Sequence, residues 1–338
     1  MNLKSLFLIV AGAVSCTITR VPSSQSAATD DHAEHMAAAG VSTAAAVSAA
    51  SQSQGIAGIP PSANSSRSRL AASPRHGEWV KIAYGEGSSD SLMAWIVYPS
   101  NRNRAPVVVV VHEIFGLQTW VRGVADQVAA DGFIAIAPDF LSRARGGPSS
   151  IELPGDAARQ LIGRVDVAER NRVITAAANF AMMQPAAEPR YAVIGYCWGG
   201  STTFTYAASG GVQGFSGGVA FYGLAYLTGG RPATDSTPAQ RATVNADSMA
   251  KINVPMMLLS GSKDARIGSA MPQLDSIMKA NRKDYSGTNY EGATHGFLRE
   301  QDDPKEPRNE AEERANVAAA RDGWPKAIAF LRKNLGVR

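Results

Sequence analysis

Cys197 stands at the centre of Gly195-Tyr196-Cys197-Trp198-Gly199-Gly200, directly after the apolar run Tyr191–Gly195. A nucleophile flanked by glycines two before and two after it is the pattern of a strand turning sharply into a helix, with the central side chain held out in a strained backbone conformation. A thiol there needs a base, and the base needs a carboxylate or equivalent to hold it in one tautomer. The chain has five histidines, and His295 in Ala293-Thr294-His295-Gly296-Phe297 is the one that follows Cys197. The expected chain order is nucleophile, acid, histidine, which places the acid between them. Asp264, in the loop Gly261-Ser262-Lys263-Asp264 after an apolar stretch, is the candidate; Asp275 and Asp284 are its rivals. The chemistry implied is nucleophilic attack by sulfur.

The elements that must position these side chains follow from the hydrophobic pattern. Trp79–Tyr84 and Leu92–Tyr98 read as a hairpin at the start of the folded part. Pro106–Val111 is an unbroken valine run of the kind buried on both faces of a parallel sheet. Further strands are expected at Phe133–Ala137, Tyr191–Gly195, Gly217–Tyr222, Val254–Ser260 and Asp284–Tyr290. Helical stretches are expected at 121–130, 157–183, 201–208, 271–280 and 312–335. Eight strands alternating with helices predict an α/β fold of α/β-hydrolase type, a mostly parallel eight-stranded sheet with helices on both faces. Its reactive residues should gather at the carboxyl ends of the strands.

Composition divides the 338 residues unevenly. Residues 1–20 carry Lys4, an apolar core from Leu6 to Val14 and small residues after it, the pattern of an export signal. Ala13-Val14-Ser15-Cys16 also resembles a bacterial lipoprotein processing site, which makes Cys16 a candidate lipid anchor and the location periplasmic or envelope-associated. Residues 21–76, rich in Ala and Ser without an apolar period, are expected to be a disordered tether. The hydrolase-like domain is expected over 77–338. His32 and His35 within the tether are too isolated to suggest a metal site, and no phosphate-binding glycine loop is present, so neither metal nor organic cofactor is expected. A net charge of +4 without basic blocks argues against nucleic acid as a partner. A small-molecule substrate and a monomer or small homo-oligomer are expected.

Val111-His112-Glu113-Ile114-Phe115-Gly116-Leu117, Pro138-Asp139-Phe140, the Cys197 elbow, the Asp264 loop and the His295 loop together resemble the dienelactone hydrolase (carboxymethylenebutenolidase) family over about residues 77–335. The resemblance implies a triad of Cys197, Asp264 and His295 that opens a lactone or ester through a thioester. It implies that Glu113 pairs with the resting thiol and releases it when substrate arrives. It places the oxyanion on the backbone N–H groups of Ile114 and Trp198, and a substrate carboxylate on Arg143 and Arg299. The long polar segment Thr228–Asn253 departs from that pattern and would form a lid or reshape the pocket. A general esterase, thioesterase or acyltransferase with the same triad is the alternative, and a catalytically silent binding protein a more distant one.

Overall fold

The computed structural model describes residues 55–83, 90–101, 103–149, 153–230, 240–301 and 309–337. The expected export signal, Cys16 and most of the expected tether therefore lie outside the described residues. In chain order the elements are α1 (Ser66–Ala71), β1 (Gly77–Ala83), β2 (Ser91–Val97), β3 (Ala105–Val111), α2 (Thr119–Ala130), β4 (Ile134–Pro138), α3 (Ser142–Arg145), α4 (Gly155–Ile162) and α5 (Val167–Met182). They continue with β5 (Ala187–Tyr196), α6 (Trp198–Ala208), β6 (Phe215–Phe221), β7 (Leu227–Thr228), β8 (Thr243–Val244), α7 (Ala246–Ala250), β9 (Met256–Gly261), α8 (Ala265–Ala280), β10 (Tyr285–Tyr290) and α9 (Glu310–Asn334).

Eight strands form one sheet in the order β1-β2-β4-β3-β5-β6-β9-β10. β2 pairs antiparallel with β1 and with β4, and every other neighbouring pair is parallel. All seven residues of β3 and all five of β4 are buried, as strands covered by helices on both faces must be. This is the predicted α/β-hydrolase architecture.

Two local expectations are corrected and a third segment gains detail. The single helix expected over 157–183 is two, α4 and α5, because the chain turns at Gly163 and Asp166 caps the second by accepting from Glu169 N at 2.7 Å. Part of the long polar segment forms the small antiparallel pair β7–β8, followed by α7. The tether does not extend to residue 76: Ile59, Pro60, Pro61, Ser62, Ser65 and Ser66 are buried, and α1 follows. These residues pack through serine–serine hydrogen bonds, with the Ser62 and Ser65 hydroxyls 2.9 Å apart, rather than through an apolar period.

Candidate active site

Five strand ends deliver the site. Glu113 follows β3, Cys197 follows β5, Tyr222 follows β6, Asp264 follows β9 and His295 lies in the turn after β10. All lie at carboxyl ends, as the parallel topology requires.

The elbow is built from close backbone approach. A Cβ at Gly195 would sit 2.1 Å from Gly199 O, and one at Gly199 would sit 2.3 Å from Val111 O, so α6 can start against β3 and β5 only with both side chains absent. Cys197 pays for the tight turn with φ 52 and ψ −115, a conformation that L residues rarely adopt. It is held there by Cys197 N donating to Phe221 O at 3.0 Å and by Ser201 N donating to Cys197 O at 3.1 Å. Cys197 is buried. Trp198 opens α6, so its backbone N–H has no intrahelical acceptor and is free to face an incoming oxygen.

Asp264 and His295 are in contact: Asp264 Oδ2 lies 2.6 Å from His295 Nδ1. Their loops are stitched together by Ser262 N donating to Tyr290 O at 2.8 Å and Lys263 N to Ala293 O at 2.9 Å. Asn316 of α9 fixes the approach to His295 by accepting from Thr294 N at 2.9 Å and donating to Thr294 Oγ1 at 3.0 Å. Burial pushes the imidazole pKa down, but the sulfur of Cys197 and the Asp264 carboxylate raise it more, and His295 ends well above the ordinary imidazole range. The structure thus brings Cys197, Asp264 and His295 together. Asp275 lies within α8, and Asp284 is exposed beside Lys333.

His112 is a histidine near the site that cannot serve as base. Its Nδ1 donates to Glu113 O at 2.6 Å and its Nε2 accepts from Phe140 N at 3.1 Å, so both ring nitrogens are used and the ring is neutral. Complete burial holds its pKa below the ordinary value. The ring stacks on Trp198, centroids 5.9 Å apart, and so braces the residue next to the nucleophile.

Glu113 is buried, and burial pushes its pKa up, against the opposing pull of Arg299 and His295. Among the described residues it forms an ion pair with Arg299, its Oε2 3.6 Å from Nε. A buried carboxylate finds compensation at the nearest cation, and Arg299 supplies it. Arg299 is brought to the site: its guanidinium also lies over Phe115, 5.3 Å from the ring centroid. The half-exposed side chain of Arg143 is bound to Asp90 at 2.9 Å and Glu169 at 3.5 Å.

Three further residues belong to the site. Tyr222, fully buried at φ 38, places its ring 5.1 Å from that of His295, and its hydroxyl has no hydrogen-bond partner among the described residues. Arg170 lies over the Trp198 ring at 4.6 Å. Asn316 holds the His295 loop as described. None carries a motif of its own; only the strand and helix ends that deliver them reveal them. No group of three or more metal-ligating side chains occurs among the described residues.

Comparison with known proteins places these features in context. A model of the dienelactone hydrolase family matches residues 92–335. A protein of Bradyrhizobium sp, proposed to be a 2-oxo-3-(5-oxofuran-2-ylidene)propanoate lactonase, is 27% identical over 76% of this chain and 94% of its own length. An Escherichia coli K12 protein proposed to be a carboxymethylenebutenolidase is 24% identical over 82% of this chain and 95% of its own. The crystal structure of a Klebsiella pneumoniae protein, proposed to be a dienelactone hydrolase, superposes with a TM-score of 0.57 at 22% identity, covering 76% of this chain and 98% of that one.

Proposed function

Because the chain belongs to the dienelactone hydrolase family, and is therefore a hydrolase acting on lactone or ester bonds, we propose that it works through a Cys197–His295–Asp264 triad and a thioester acyl-enzyme. The observation that carries this reading is the 2.6 Å contact of His295 Nδ1 with Asp264, on an imidazole whose charge is also governed by the Cys197 sulfur.

In the proposed cycle the Cys197 proton passes to His295 Nε2, and the sulfur attacks the carbonyl carbon. The carbonyl π-pair moves to oxygen, and the resulting oxyanion is received by the backbone N–H groups of Ile114 and Trp198, where charge stabilisation contributes most to the rate. Collapse breaks the bond to the alkoxy oxygen, which takes the proton from the imidazolium and leaves as the alcohol, or as a tethered alcohol from a lactone. His295 then deprotonates a water that attacks the thioester, and sulfur departs to recover its proton. Asp264 stabilises the imidazolium throughout. Arg299 is proposed to read an anionic group on the acyl part, since a planar guanidinium pairs bidentately with carboxylate. Export, with Cys16 as lipid anchor, is proposed from the sequence pattern alone; labelling with radioactive palmitate in a bacterial host, abolished by Cys16→Ala, tests it.

The triad is tested by intact-mass measurement after mixing the protein with dienelactone or 4-nitrophenyl acetate. An acyl adduct or turnover that is lost in Cys197→Ala supports it; turnover that survives in that variant overturns it.

A further inference from the structure

The family match begins at Leu92, yet chain well before it reaches the site. Residues 59–66 cross α2 as a buried strap and run to the turn that carries Arg299. Ala63 N donates to Arg299 O at 2.8 Å, while Arg299 N donates to Gly296 O at 2.8 Å. Both backbone polar groups of Arg299 are therefore committed, one to the His295 turn and the other to the strap. Gln301, 1% exposed, latches the two together: its Nε2 donates to Pro60 O at 3.0 Å and to Leu298 O at 2.8 Å.

The strap is itself pinned from below. Trp120 Nε1 donates to Pro61 O at 2.9 Å. The Arg69 guanidinium gathers Ile59 O at 2.7 Å, Ile56 O at 3.1 Å and Gln127 Oε1 at 2.9 Å. Arg75 then closes a two-point pair on Asp126 at 2.9 and 2.6 Å. The Arg299 side chain, by contrast, is loosely held, at 3.6 Å from Glu113 and 3.8 Å from Glu300. Contacts that long, with the Phe115 ring at 5.3 Å the other neighbour of the guanidinium, leave the position of its Cα to the backbone, and a misplacement of about 1 Å can cost about 10²-fold.

We propose that the Ile59–Ser66 strap, latched by Gln301, is a positioning element for Arg299 and thereby sets the preference of the enzyme for esters with an anionic acyl part. The inference rests on the reading of Arg299 given above. It adds to the site a segment outside the family match.

Two variants of the full chain test it from opposite sides of the strap. Gln301→Met keeps volume and removes both latch bonds. Gly123→Ala, a helix-favouring change in α2, sets a Cβ 2.7 Å from Pro61 Cγ and pushes the strap outward without touching the site. The readout is the ratio of kcat/KM for mono-4-nitrophenyl succinate to that for 4-nitrophenyl acetate, with circular dichroism melting as the check on folding. Each variant is expected to lower the ratio by about tenfold while acetate turnover stays within about twofold, and Gln301→Met is expected to add nothing on top of Arg299→Ala, as coupled sites require. An unchanged ratio in both variants, or an equal loss on both esters, overturns the inference while a lowered ratio in Arg299→Ala keeps the Arg299 reading. A ratio unmoved by Arg299→Ala overturns both.

Discussion

Asp264 holds His295 Nδ1 at 2.6 Å through Oδ2 while its Oδ1 accepts from Ile267 N at 3.2 Å, so one carboxylate orients the base and caps α8. The two duties separate by substitution. Asp264→Asn retains an oxygen for the cap and removes the charge that stabilises the imidazolium, so kcat should fall about 10³–10⁴-fold with little change in melting temperature. Asp264→Ala should lose the same activity and about 1 kcal/mol more stability through the missing cap. Steady-state kinetics beside thermal melts of the two variants would settle it; comparable activity in Asp264→Asn and wild type would remove Asp264 from the mechanism.

The elbow makes a sharper structural demand. A methyl group at Gly199 would meet Val111 O at 2.3 Å, and neither β3 nor α6 can yield without disturbing the centre of the sheet. Gly199→Ala should therefore cost about 3 kcal/mol or more. Its urea midpoint should drop by a corresponding margin, and a variant as stable as wild type would show that α6 can lift off β3 freely.

These two predictions rest on features that were readable in the sequence, and the reason is physical. Valines 107–111 are buried on both faces, which leaves a continuous apolar run, and the elbow needs glycine at fixed offsets, which leaves a motif. Cys197, Asp264 and His295 follow from those strand ends and the chain order. The strap at 59–66 was missed because small serines and prolines bury themselves by local hydrogen bonds and by contact with α2, neither of which has a period. Arg143 and Arg299 look alike in the sequence, both being arginines at plausible offsets, and their different partners, Asp90 and Glu169 for one and Glu113 and Glu300 for the other, come from loops that meet only in space. Tyr222 and Asn316 depend on which loops meet in space.

Glu113 should make stability depend on pH. Burial raises its pKa above the ordinary 4.5, and although Arg299 and His295 oppose that and Glu300 reinforces it, the folded protein holds this proton to higher pH than the unfolded chain does. The associated stability is fully present below the unfolded value and is lost as pH rises through the folded one. Glu113→Gln cannot ionise, so at pH 7 it should be more stable than wild type and melt higher, and the gain should fade as pH falls to the ordinary carboxyl range. Paired melting curves across pH 4–8 measure it. A variant less stable than wild type at pH 7 would mean that the Arg299 contact outweighs burial.

The two arginines should differ in kind. Arg143 spans Asp90 and Glu169 on the surface with its side chain 53% exposed, and such exposed pairs contribute about 0–1 kcal/mol. Arg143→Ala should leave kcat/KM within about twofold for neutral and carboxylate-bearing esters alike. Arg299 lies 19% exposed between Glu113 and Glu300 with its guanidinium over Phe115, where solvent competes less for its charge. Arg299→Ala should reduce kcat/KM for a carboxylate-bearing ester by about 10–100-fold, the value of a hydrogen bond to a charged group, chiefly through KM. Measuring both variants on mono-4-nitrophenyl succinate decides between them, because a loss confined to Arg143→Ala would require that arginine to abandon Asp90 and Glu169 and turn into the site when substrate binds.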